Sequence, residues 1–207
     1  MMYPANVARM IPTLAGLTLE LVPHCASVRP ADWPGDPIAR PLAETGHRQA
    51  VDLASRIGTD VVAIWSSPML RCIQTVRPLA RAAGLSVEQL PELRDTQDFA
   101  EPRTWKHGIL APVAEPVAGA WAAGRGVRAL LTIAEHHPGG RVVATSHGDL
   151  IPVLLSTLCA IYAVPPPSAT PDRGGWWNLH FTPTALTITP RAPLLDEKRD
   201  GQQARCP

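Results

Sequence analysis

RVVATSHGDLI, residues 141–151, decides the fold. Its first half, Arg141 to Thr145, is a short apolar run with β-branched members behind Pro138-Gly139-Gly140, which predicts a buried strand. Ser146-His147-Gly148-Asp149 follows, and then the spacing predicts a helix from about Leu150 to Ala163. A strand that runs through a polar turn into a helix is half of a parallel crossover unit.

Working outward, the same grammar recurs. LTLELV at 17–22 is a buried run that exits through Pro23-His24-Cys25. VVAIW at 61–65 exits through Ser66-Ser67-Pro68 into a helix over about 69–83. Ser67 is its expected N-cap, Pro68 its first residue and Gly84 its stop. Ala50, Leu53, Ala54 and Ile57 share one face of a helix over Glu44–Ile57, with Thr45 as its expected N-cap. Ser86–Leu90 reads as a weaker third strand, 117–137 as a helix, and Trp176–Phe181 and Ala185–Thr189 as two antiparallel strands around Pro183. Segments 26–41, 91–116 and 165–171 read as loops; Pro30, Pro34, Pro37 and Pro41 stiffen the first.

Strands alternating with helices imply an α/β, three-layer sandwich: a mostly parallel central sheet with helices on both faces. No internal repeat or second domain is visible. The expected division is an N-terminal arm at 1–16, one domain at 17–190, and a polar, disordered tail at 191–207. In such sheets ligands bind beyond the carboxyl ends of the strands. His24, His147 and the segment leading to Arg71 all fall on that edge.

Bulk properties narrow the function. With a formal net charge of +1, no field draws in nucleic acid or a membrane surface. No apolar stretch is long enough to span a bilayer. Cys25, Cys72, Cys159 and Cys206 form no CxxC pair, so a reducing cytoplasm is the expected setting. The expected partner is a small, phosphorylated molecule, and the oligomeric state stays open.

The chemistry at the edge is specific. A histidine at a strand end acts as a nucleophile when a neighbouring acceptor orients its ring. A phosphoryl group then needs cationic donors around its equatorial oxygens, and the arginine fork matches them bidentately. Arg71 falls in the first turn of a helix, where free N–H groups also favour an anion. Gly148 lets backbone approach a ligand.

LVPHC at 21–25, RPLAETGHRQA at 40–50, SSPMLRCIQT at 66–75 and ATSHGDLI at 144–151 together resemble the histidine phosphatase superfamily, the phosphoglycerate mutase-like branch, over roughly residues 17–190. The resemblance implies that His24 is the phosphorylated nucleophile, that Arg71 binds phosphate and that His147 is the second pocket histidine. It also implies an acid after the third strand. Asp95 has the interval of the family's Leu-x-Glu pattern; Glu92 is its rival. No metal or cofactor is implied.

One departure stands out. The family's first motif is Arg-His-Gly or Arg-His-Ala, and this chain has Pro23-His24-Cys25. Losing one preorganised donor costs on the order of 10²–10³ in rate. Arg29 and Arg40, in the following loop, are the candidates to replace it. Two readings follow. The first is a phosphatase working through a phosphohistidine on His24. The second is a phosphatase-inactive relative whose pocket binds or transforms another small molecule. A mutase is disfavoured because 91–116 is short for a substrate-enclosing insertion. Cys25 is read as filling the Gly/Ala position, not as a reactive thiol, and zinc held by His24, Cys25 and His147 has no support from spacing. Trp33 and Trp105 flank the pocket and offer rings for stacking.

Overall fold

The interiors of the strands at 18–23, 63–66 and 141–146 are buried on both faces, which makes a central sheet with helices above and below. The computed structural model describes residues 13–96 and 114–193. The strands are β1 (Thr18–Pro23), β2 (Ala63–Ser66), β3 (Val87–Gln89), β4 (Arg141–Ser146), β5 (Trp176–Phe181) and β6 (Leu186–Arg191). The helices are α1 (Glu44–Ile57), α2 (Leu70–Ala83), α3 (Ala114–His136) and α4 (Leu150–Tyr162). The six-stranded sheet runs β3-β2-β4-β1-β5-β6. β1, β2, β3 and β4 are mutually parallel, while β5 runs antiparallel to β1 and β6 antiparallel to β5.

Side-chain alternation sorts the core into two layers. Leu19 and Leu21 of β1, Trp65 of β2 and Val142 and Ala144 of β4 pack with Leu130 and Ile133 of α3 and Ile151, Leu154 and Leu158 of α4. Val22, Ile64 and Val143 point the other way, onto Leu53 and Ile57 of α1 and Val76 and Leu79 of α2. Glu20 shares that second face, fully buried. It accepts hydrogen bonds from Arg141, Trp176 and Asn178, so the carboxylate has donors on both oxygens. No helix among the described residues is long and apolar enough to cross a membrane.

Several local expectations are corrected. Thr45 lies inside α1, whose N-cap is Ala43 with no side-chain cap. The amide of Ala43 is taken instead by the carbonyl of Ala26, at 3.0 Å. That approach needs Gly46, since a Cβ there would lie 1.9 Å from the Ala26 oxygen. Ser67 does not open α2, whose N-cap is Met69; its hydroxyl is drawn to the pocket. The strand at 86–90 is shorter by a residue at each end. α3 starts at 114, because Pro116 is tolerated in a first turn where its missing N–H has no partner to lose. β6 continues to Arg191, and Leu14 is already part of the core. The rest of the arm, the tail beyond 193, Trp105 and Cys206 lie outside the described residues.

Candidate active site

Register brings the two histidines together. Pro23 of β1 pairs with Ser146 of β4, so the following residues leave adjacent parallel strands at the same level. The His24 amide donates to the Ser146 carbonyl at 2.9 Å, and the Ser67 amide to that of Thr145 at 3.0 Å. The rings of His24 and His147 meet edge to face with centroids 5.5 Å apart. Both residues are buried.

Their partners fix the tautomers. His24 Nδ1 lies 2.8 Å from the Cys25 carbonyl, which can only accept, so Nδ1 carries the proton and Nε2 keeps its lone pair. His147 Nδ1 lies 3.2 Å from Arg71 Nη2, which can only donate. Its proton therefore sits on Nε2, which donates to Ser67 Oγ at 2.9 Å. Burial lowers the pKa of His24 to about 4; the hydrogen bond to Cys25 works against this, and the Arg173, Arg71 and Arg40 cations reinforce it. Burial, then Arg71 and His24, lower that of His147 to about 3. Both rings are neutral near pH 7.

Arg71, in the first turn of α2, is the hub. Nη1 donates to the Pro37 carbonyl at 3.0 Å, and Nη2 reaches Asp95 Oδ2 at 3.1 Å as well as His147. Its Nε is buried with no hydrogen-bond partner. Asp95 is clamped on both sides: Arg125 donates to the carbonyls of Arg94 and Asp95, and Thr96 donates twice to Asp149 at the start of α4. Burial alone would raise the pKa of Asp149, but these Thr96 bonds and the Leu150 amide hold it low. Glu92 is not brought in; it pairs with Arg128 of α3 at 2.7 Å.

The remaining candidates divide. Arg40 lines a cavity of about 180 Å³ with Pro30, Trp33, Pro37, Arg71 and Asp95. Arg40 also donates to Ser27 Oγ and the Val28 carbonyl, and an isolated bridge from Ser27 to Leu42 closes the base of the loop. Arg29 is not brought in: its guanidinium is exposed and forks onto Asp32. Gly148 faces open space and has no positive φ, so its backbone does not require glycine. The Cys25 thiol is fully buried and pushed up to about 11 by burial, so it is a neutral filler. Its amide donates to Thr75 Oγ1 at 3.0 Å. No group of three His, Cys, Asp or Glu side chains among the described residues is arranged to hold a metal.

Arg173 is the residue the sequence reading missed. Its Nη1 donates to the His24 carbonyl at 3.1 Å and lies 3.5 Å from both the Cys25 carbonyl and His24 Nδ1. The last is a contact between two donors, since Nδ1 already carries a proton. The signal was topological. β5 is antiparallel to β1, so whatever precedes Trp176 arrives at the carboxyl end of β1.

Comparisons with known proteins agree with this fold. The profile of the histidine phosphatase superfamily (branch 1) matches residues 35–189. An 8-oxo-(d)GTP phosphatase from Mycolicibacterium smegmatis is 26% identical over 182 residues, covering 87% of this chain, which spans about half (49%) of that relative's length. Among solved structures, Bacillus stearothermophilus YhfR superposes with a TM-score of 0.64 at 16% identity, covering 86% of this chain and 98% of that one. A mycobacterial glucosyl-3-phosphoglycerate phosphatase, complexed with VO3, does so with a TM-score of 0.58 at 20% identity, covering 85% and 98%. A six-stranded sheet with its histidines paired at the β1 and β4 ends, together with a family profile spanning most of the domain, leads to one conclusion: the chain belongs to the histidine phosphatase superfamily.

Proposed function

We propose that the protein is a phosphatase that hydrolyses a small phosphate ester through a phosphohistidine on His24. The observation that carries this reading is the tautomer of His24. Its Nδ1 proton is committed to Cys25, its Nε2 has no hydrogen-bond partner among the described residues, and burial keeps the ring neutral. A neutral imidazole with one fixed nitrogen is a competent nucleophile.

The steps balance as follows. Nε2 attacks phosphorus in line, an N–P bond forms, and the bond to the ester oxygen breaks. Arg71 stabilises the equatorial oxygens, using the buried Nε and the Nη2 now held by Asp95. An anion seated there places negative charge beside the Asp95 carboxyl and favours its protonated form. Asp95 then gives its proton to the leaving oxygen. In the second half, Asp95 takes a proton from water, whose oxygen attacks phosphorus; the N–P bond breaks and phosphate leaves. His147 orients Arg71 and lines the pocket. No cofactor enters these steps.

The relative from M. smegmatis carries a nucleotide in its name. Trp33, on the cavity wall, offers a ring on which a base can stack, so a nucleotide belongs to the candidate substrate class. Pro23 favours the second reading, a pocket of the same fold that binds or transforms another small molecule without phosphatase chemistry.

One experiment separates them. With an aryl phosphate such as p-nitrophenyl phosphate, the native chain forms an acid-labile phosphoenzyme, and His24→Ala lowers turnover by roughly 10⁴-fold or more. Turnover that survives in His24→Ala removes the mechanism. A native chain that stays unphosphorylated and inert supports the second reading.

A further inference from the structure

We propose that Arg173 takes the place of the missing motif arginine and supplies the second guanidinium of the anion site at His24. This rests on the reading of the pocket as a phosphoryl site. Pro23 offers neither charge nor N–H at the position the motif would fill. Arg173 reaches the same strand end from the opposite direction in the chain.

Its presentation is built into the backbone. Asp172, Arg173, Gly174 and Gly175 form a turn closed by the Gly175 amide on the Asp172 carbonyl at 2.9 Å. Gly174 has φ +89°, the value a type II turn demands of its third residue. Gly175 is wedged in, since a Cβ there would lie 2.5 Å from the Arg191 carbonyl and 2.6 Å from Pro171 Cβ. Arg173 therefore projects from a turn fixed against the edge of the sheet. A preorganised donor of this kind loses little freedom when an anion arrives.

Charge points the same way. Arg173 forms no ion pair among the described residues, and only one Nη of its guanidinium is used, on carbonyl oxygens. The cations of Arg173, Arg71 and Arg40 all act on His24, and Asp95 pairs with Arg71. Guanidinium groups gathered about one imidazole, with Arg173 on its Nδ1 side and outside any ion pair among the described residues, fit a phosphoryl dianion.

A backbone staple is the competing role, and two substitutions separate it from anion binding. Arg173→Gln keeps an N–H donor for the His24 carbonyl and removes the charge. Arg173→Lys keeps the charge and loses the fork. Orthovanadate affinity is measured by calorimetry on the full chain, beside kcat/KM for p-nitrophenyl phosphate and thermal melting. Anion binding predicts the order native, then Lys, then Gln, with Gln weaker by about 10²-fold in both readouts and unchanged in melting. Gln equal to native, or Gln better than Lys, overturns the proposal. A native chain that binds vanadate but forms no phosphoenzyme breaks the phosphatase reading alone, and the order of affinities still judges Arg173. A native chain that does not bind vanadate breaks both.

Discussion

The ends of β4 and β1 lie side by side, but they hold their histidines differently. At β4, both ring nitrogens of His147 are taken by side chains, Ser67 and Arg71. These partners come from one stretch, 67–71, on β2's exit and α2. At β1, His24 commits one nitrogen to the next residue's carbonyl, and its other nitrogen has no hydrogen-bond partner among the described residues. Its charged neighbour comes from the far end of the domain. A ring with both nitrogens engaged is part of the framework, and a ring with one nitrogen free is available for chemistry. On the proposed mechanism, one strand end is scaffold and the other carries the reactivity.

The largest test of that contrast strikes the framework side. Arg71→Gln removes the hub shared by His147, Asp95 and Pro37. Expected are a loss of kcat/KM on the order of 10²–10³ and a loss of about 3–5 kcal/mol of stability, because the buried ion pair between Arg71 and Asp95 is broken. Enzyme kinetics and urea denaturation measure the two. Activity lost with full stability retained would mean that Arg71 is not structural.

Acid probes both ends together. Each ring has its pKa lowered in the folded chain from 6.5, to about 4 for His24 and about 3 for His147. Below pH 6.5 the unfolded chain binds protons that the folded chain refuses, so stability is complete above that pH and falls from there toward pH 4 and 3. The expected melting temperature declines between pH 7 and 4.5, by about 2–4 °C for each kcal/mol lost. The nucleophile stays unprotonated over the same range, so kcat/KM should show no histidine inflection near 6.5. An inflection there would place His24 in water, contrary to its burial.

The smallest effect sharpens the β1 side. Arg29 is exposed and paired with Asp32, away from His24. Arg29→Ala should leave melting and kcat/KM within about twofold of native. A larger loss would show that the 26–41 loop brings Arg29 over the pocket during turnover.

What was legible follows from range. RVVAT, VVAIW and LTLELV announced themselves because buried parallel strands are continuous apolar runs, and the segments that follow them place His24, His147 and Arg71 on one edge. Which of Asp95 and Glu92 lies beside Arg71 needed the third dimension: the clamps from Arg125 and Asp149 and the diversion of Glu92 to Arg128 all cross the fold. Ser67 was misread as a helix cap because local propensity is blind to a histidine 80 positions away. Arg173 was invisible for a related reason. The hairpin at 176–191 was expected, but nothing local says that its first strand docks on β1 and not at a sheet edge.

That docking gives the site an order of assembly. His24 lies 149 positions before Arg173, so a growing chain has emerged through β1, β2 and β4 before the guanidinium can arrive. Parallel pairing alone yields paired histidines without their outer cation. Competence then waits on the last hairpin, which buries Trp176 and Trp177 as it closes. In refolding, vanadate binding should return with the slow change in tryptophan fluorescence that reports this closure, not with the earlier gain of helix. Recovery of binding ahead of that change would break the dependence. The timing of the anion site would thus follow closure of this hairpin, imposed by strand order and not by any regulator.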